Sequence, residues 1–333
     1  MNKRAILAGI DTHPANSLAL ALRSVGYDVA MLSDKAMDEL KKHGYEGGVR
    51  HEMLGNMGYH GLNMPIVELA ALDGADMFVD LKKRDLDAFL AARPEFAGKV
   101  LCYLINGGGD DYVNYGRYYP TITNNRLTEG NVFWWWPPFD NVHGLVPRPE
   151  RMEFDPPLAL LHAAHNWGFG HILQQVIDQA DLRVYGSYGS PMGIIRNDKL
   201  GEYLSTALAF VHPKASDAPG YALYEAFASA VPVVATQLLV ERMRMQDLFE
   251  DEKTCLLWGK TSYVVEGDRI IEFMEREKDV MIAEICASLE RLKDPVLNSR
   301  IGMMGYKRWR ALTEWTPEKQ AAFGEFLKKN NLL

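Results

Sequence analysis

Residues 208–236 read LAFVHPKASDAPGYALYEAFASAVPVVAT. The apolar run closes on His212-Pro213 as a strand, a polar loop follows, residues 220–229 have the spacing of a helix, and VPVVA reads as a second strand. Strand, helix and strand in that order make a βαβ unit, whose strands run parallel because the crossover carries the chain back to its starting edge.

The same alternation extends in both directions. Upstream, residues 5–10, 28–32, 77–81, 99–105 and 131–136 read as strands, with helical spacing at 17–25 and 86–92. Parallel strands of this kind are covered by helices on both faces, so the first half is a doubly wound α/β unit. Pro137, Pro138, Pro147, Pro149, Pro156 and Pro157 then break any regular element and mark a hinge. Beyond it the alternation restarts, with strands at 158–165, 182–186, 207–212, 231–235 and 254–258 and helices at 171–179, 199–206 and 222–229. Residues 280–329 read as long, charged and helical, with Trp309 and Trp315 as packing anchors. The expected division is a first domain over 1–150, a second over 151–312, and a C-terminal helix over 313–333 free to cross back to the first. Sheets of this class bind ligands at the carboxyl ends of their strands, and a hinge between two of them places both sets of ends on one cleft.

Composition narrows the classes. A chain of 333 residues with 47% hydrophobic and 24% charged residues is globular, neither disordered nor fibrous. The net charge of −8 is spread evenly, with 15 Lys and Arg against 19 Asp and Glu in residues 1–150, and offers no electrostatic footprint of a dedicated nucleic-acid binder. Cys102, Cys255 and Cys286 are far apart and sit in apolar runs, which suits reduced thiols in a cytoplasm-like compartment rather than a disulfide framework. The apolar run 5–10 before Asp11 is too short for a signal-peptide core, and the most apolar later stretch, 221–240, contains Glu225 and Pro232. A soluble, cytoplasmic protein is expected.

The loop and helix within 208–236 carry the chemistry. A helix N-terminus in a cleft presents unpaired backbone N–H groups and a positive dipole end, which suit a phosphate or pyrophosphate. Glu225, about one turn in, is placed to accept hydrogen bonds from vicinal hydroxyls such as those of a ribose, and Asp217 stands just before the helix. The competing reading makes Asp217 a helix cap and Glu225 a solvated side chain.

This stretch resembles the donor-binding signature of glycosyltransferases of the GT-B fold, especially family 4 and its relatives. There a Glu, seven residues and a second Glu precede a small-residue helix and a PVVA strand. Asp217 and Glu225 have that spacing and lead into EAFASAVPVVAT at 225–236, while GIIRNDKLGEYLSTALAFVHP at 193–213 resembles the segment that runs from the base-binding loop into the strand ending in Pro. The resemblance implies an α/β protein of GT-B type, with two Rossmann-like doubly wound domains facing a central cleft. It also implies that Glu225 holds the ribose hydroxyls and Asp217 contacts the donor sugar. The main chain at Ile195 and Arg196 would pair with the nucleobase, and Gly220, Tyr221 and Ala222 would present N–H groups to the diphosphate or sugar. Three departures bear on donor-sugar identity: Asp217 is shorter than Glu, Pro219 has no N–H, and Ala230 replaces the usual Gly.

A second element, LALLHAAHNWGFGH at 158–171, runs from a strand into a loop with Gly168 and Gly170, where the backbone is able to approach an oxyanion closely. The resembled enzymes carry an Arg and a Lys here. None occurs between Leu158 and Leu182, leaving His171 and Arg196 as substitutes and the phosphate site leaning on dipoles. His162, His165 and His171 lack a nearby carboxylate and are not read as metal ligands.

A third element is the turn after the first strand. His13 resembles in position the His that takes the acceptor's proton in inverting nucleotide-sugar glycosyltransferases, and imidazole has the proton affinity for it. Asp11 is a second candidate, and the plain reading makes His13 a turn residue beside Pro14. Asp110-Asp111 reads as loop polarity, Trp134, Trp135 and Trp136 as packing rather than sugar stacking, and the segment 44–64, with His51 and His60, as acceptor-facing by exclusion.

The expectation is a metal-independent hexosyl- or pentosyltransferase that needs no cofactor and uses a nucleoside diphosphate sugar, UDP- or GDP-linked, as donor. A working His13 base points to inversion, whereas family 4 implies retention. The acceptor is a glycan, a small molecule or a hydroxymethylated pyrimidine in DNA, as for phage-type DNA glycosyltransferases. A nucleotide-sugar epimerase of the same fold is the rival activity.

Overall fold

The computed structural model describes residues 2–9, 12–45, 62–81, 86–104, 115–124, 126, 129–141, 144–162, 175–176, 178–187, 192–193, 195–212, 220–259 and 270–333. The chain forms two compact units, one of Met1–Asp140 with Thr313–Leu333 and the other of Asn141–Leu312.

The first unit holds seven strands: β1 (Lys3–Ala8), β2 (Tyr27–Leu32), β3 (Ile66–Val67), β4 (Met77–Asp80), β5 (Val100–Leu104), β6 (Thr121–Thr123) and β7 (Val132–Trp134). They pair in the order β3-β2-β1-β4-β5-β6-β7, and every pairing is parallel. Helices α1 (Thr12–Ser24), α2 (Asp34–Lys41) and α3 (Leu86–Ala92) belong to this unit. One core cluster joins Ile6, Phe78, Val100 and Cys102 of the strands to Tyr45, Phe89 and Phe96. Phe78 and Phe89 stack with ring centroids 3.8 Å apart. Phe133 and Trp135 pack on Phe323, and Trp135 on Trp315, so Trp135 serves packing within this unit.

The strand order reverses between β1 and β4. Gly9 follows β1 with φ +124°, and a Cβ there would stand 2.8 Å from the Leu81 Cβ, so this turn requires glycine twice over. The helix expected over 17–25 begins earlier, at Thr12, because Pro14 lies in the first turn, where its missing N–H costs nothing.

The second unit holds β8 (Leu158–His162), β9 (Arg183–Ser187), β10 (Phe210–His212), β11 (Val233–Thr236) and β12 (Leu256–Trp258), paired in parallel in the order β12-β11-β10-β8-β9. Its helices are α4 (Asn197–Thr206), α5 (Tyr221–Ala228), α6 (Gln237–Arg242), α7 (Ile270–Arg291) and α8 (Pro295–Thr313). A core of Ala159, Val184, Val211, Val234 and Trp258 meets Ile282, Ile285, Leu289 and Ile301 from the long helices. Arg148 is 7% exposed and donates to the Ala207 carbonyl and to Asn298 Oδ1, while Asn298 Nδ2 donates to the carbonyls of Leu208 at 2.8 Å and Leu292 at 2.9 Å. Burial lowers the Arg148 guanidinium to about 10.

The C-terminal stretch expected as long and helical is α7, α8 and α9 (Pro317–Lys329). Pro295 and Pro317 each open a new helix, and Thr316 caps the last with its side chain on the Lys319 N–H. Among the described residues no helix is long and apolar enough to cross a membrane.

Candidate functional site

In the second unit the strand order reverses between β8 and β10, and a doubly wound sheet takes its ligand beyond the carboxyl ends of the strands at such a reversal. β10 ends at His212, and α5 is the next described element after it. Gly220 is the N-cap, with φ −64° and ψ 158°, and has no side chain of its own to cap the helix. Gly220, Tyr221 and Ala222 are half-buried.

Glu225 is the fifth residue of α5 and only 2% exposed, among Leu223, Tyr224, Ala226, Phe227 and Ala228, all buried. That burial removes the reading of Glu225 as a solvated side chain. Its carboxyl, ordinarily near 4.5, is pushed up to about 8 because burial strips water from the charged form. Hydrogen bonds donated to the charged form of such a buried acid favour its ionisation. Beyond α5, Ser229 closes the helix and Ala230 takes φ +53°, the left-handed turn that glycine fills more cheaply.

Arg196 is the N-cap of α4 and exposed, and its guanidinium is held by the Asp198 carboxylate at 3.0 and 3.1 Å. That pair raises the Arg196 pKa. Its charge is therefore already balanced, while Ile195 beside it is half-buried. Gly168, Gly170, His171 and Asp217 lie outside the described residues, as do Asp11, His51, His60, His165, Asp110 and Asp111.

In the first unit, His13 is the second residue of α1, 3% exposed, and lies parallel to the Phe139 ring at 6.4 Å. It is a helical residue in the first turn, not a residue of the loop before it. On the neighbouring strand, Asp80 ends β4 fully buried and accepts a hydrogen bond from Tyr45 Oη at 2.7 Å. Asn16 Oδ1 accepts the Asn63 N–H at 3.0 Å, and Asn63 Nδ2 donates to Asp140 Oδ2 at 2.8 Å. Sequence reasoning passed over Asp80, although a carboxylate at the last position of the buried strand MFVD was a usable signal. Among the described residues no group of three or more His, Cys, Asp or Glu is placed to hold a metal ion.

No protein-family model matches the sequence, and a search of the curated proteins finds no match either. Solved structures do match. Sucrose-phosphate synthase from Thermosynechococcus elongatus superposes with TM-score 0.61 at 14% identity, over 99% of each chain. Anabaena HepE, solved in complex with UDP, gives TM-score 0.60 at 13% identity over 98% of this chain and 100% of its own. A glycosyltransferase from Rickettsia africae gives 0.56 at 10% identity, over 98% and 99%.

The chain has the GT-B fold. The likeness runs through both units, and at such low identity it speaks to architecture. In this GT-B chain α5 is the next described element after β10 and α1 the next after β1, and each of those strands flanks the reversal of its own sheet.

Proposed function

We propose that the chain is a glycosyltransferase that moves a hexosyl or pentosyl group from a nucleoside diphosphate sugar to an acceptor hydroxyl without a metal ion. The observation that carries this reading is the buried Glu225 carboxyl on α5, beyond the strand where the second sheet reverses its order. Two ribose hydroxyls donating to Glu225 stabilise its ionised form, and the N–H groups from Gly220 to Ala222 meet the negative charge that grows on the leaving diphosphate. Asp217, Gly168, Gly170, His171 and the main chain at Ile195 and Arg196 complete the donor site in this reading, with UDP or GDP as the base-bearing part. HepE was solved with UDP, which supports a uridine donor first.

The acceptor is assigned to the first unit, with His13 or Asp11 taking its proton. The buried thiols Cys102 and Cys255 fit a reducing, cytoplasmic setting. The test is a thermal-shift panel of UDP-, GDP- and ADP-sugars on the wild type and on Glu225→Ala, followed by mass spectrometry of transfer to glycans, small alcohols and hydroxymethylcytosine DNA. Stabilisation by one donor that vanishes in the variant, together with a glycosylated product, supports the proposal. An isomerised sugar formed from donor alone indicates the epimerase instead, and unchanged donor binding in Glu225→Ala overturns the site.

A further inference from the structure

We propose that the outer face of α8 docks the protein on an anionic membrane surface. The inner face of α8 is pinned to the body of the second unit. Ile301 and Asn298 are buried, a Cβ on Gly302 would stand 2.1 Å from the Ala230 carbonyl oxygen, and one on Gly305 would stand 2.7 Å from that of Thr254. Backbone contact this close fixes the rotation of the helix, and with it what faces outward. The outward stripe is Val296, Arg300, Met303, Met304 and Lys307, at helical spacing.

Three observations on this stripe point to one kind of partner. The first is exposed apolar surface: Val296 is 76% exposed, Met304 44% and the adjoining Met152 81%. Single exposed apolar residues are ordinary, but these line one groove of about 700 Å³. The second is charge. Arg300 and Lys307 make no ion pair with any described residue, and Arg151 donates only to the carbonyls of Glu153 and Ser205. Glu150 is the one carboxylate among the described lining residues, on a chain whose net charge is −8. The third is the softness of the apolar part, which is methionine and valine with no exposed aromatic ring.

Unpaired cations interleaved with flexible apolar side chains suit a surface that offers anionic headgroups above a fluid acyl boundary. A nucleic acid would satisfy the cations and leave Met152, Val296 and Met304 in water. A second copy meeting this face by a two-fold axis would set Arg300 and Lys307 against their own equivalents. The proposal is independent of the donor site, because none of these residues lies on α5 or at the carboxyl ends of the strands.

The experiment is co-sedimentation of the full chain with vesicles of phosphatidylglycerol mixed with phosphatidylcholine, and of phosphatidylcholine alone. The expected result is binding to the anionic vesicles only, weakened by salt and reduced at least about tenfold by Arg300→Glu with Lys307→Glu. Val296→Ser with Met304→Ser is expected to reduce it as well with every charge in place, and donor-induced thermal shifts stay unchanged in both variants. The proposal is overturned by absence of sedimentation, by equal binding to both vesicle types, or by binding that survives both variants. It is also overturned if the variants abolish self-association or binding to a DNA duplex in a protein that ignores vesicles.

Discussion

Glu225 makes the protein's stability depend on pH, and in the proposed donor site it makes ligand affinity depend on pH in the opposite sense. Its pKa is near 4.5 when unfolded and about 8 when folded, so the folded state binds the extra proton between those values and stability falls as pH rises through that window. The slope approaches about 1.4 kcal/mol per pH unit at most, and flattens above pH 8. Glu225→Gln should abolish that part of the slope, which urea unfolding at pH 5, 6, 7 and 8 measures. If ribose hydroxyls bind the ionised form, UDP affinity should rise about tenfold per pH unit below 8, with proton release detectable by calorimetry in buffers of different ionisation enthalpy. Gly9 offers a purely structural counterpart. Its φ of +124° and the 2.8 Å approach of Leu81 predict that Gly9→Ala costs about 2 kcal/mol or more, read as a lowered urea midpoint with the slope unchanged. That Glu225 lies about one turn into a helix was legible from the spacing of residues 220–229. Its burial was not, because YALYEAFA is apolar nearly all round and shows no solvent-facing stripe that assigns a lone carboxylate to one side.

Elements were read well where apolar runs are short and bounded, as at 86–92, which is α3, and at 77–81, which contains β4. They were missed where the signal is weak: α2 is charged along most of its length, and β3 is two residues long. The end of α5 gives an element-scale prediction. Ala230 holds φ +53° only at a steric cost that glycine avoids, so Ala230→Gly should raise stability by about 0.5–1 kcal/mol even though it removes a buried methyl. A fall in the thermal midpoint would argue that the methyl's packing against α8 outweighs the backbone. The contact between α8 and Arg148 is polar and buried. Asn298→Ala strips acceptors or donors from Arg148, Leu208 and Leu292 together, and should cost about 3 kcal/mol by chemical denaturation. Nothing in the sequence near Arg148 reveals that its partner lies on a helix so far along the chain, since the two meet only where the folded chain offers the Ala207 carbonyl to Arg148 and the Leu208 carbonyl to Asn298.

Two doubly wound α/β units were legible because strand and helix periods alternate on both sides of the prolines and parallel sheets admit few orders for such a string, whereas GT-B itself was read from the resemblance of 193–236 to a donor-binding signature. The part played by α9 was harder to read, since its sequence is that of any amphipathic helix. Phe323 and Leu327 are fully buried in the first unit beside Phe133 and Trp135, and Trp315 Nε1 donates to Ser24 Oγ at 3.0 Å. Removing residues from 314 onward should therefore lower the melting of the first unit well below that of the second, and split a calorimetric scan into two transitions. The same arrangement sets an order of maturation at the ribosome. About 170 residues of the second unit separate Asp140 from Thr313, roughly 10–30 s of synthesis. Through that interval the nascent first unit keeps Phe133 and Trp135 uncovered, while the unit translated later is complete before the earlier one can close.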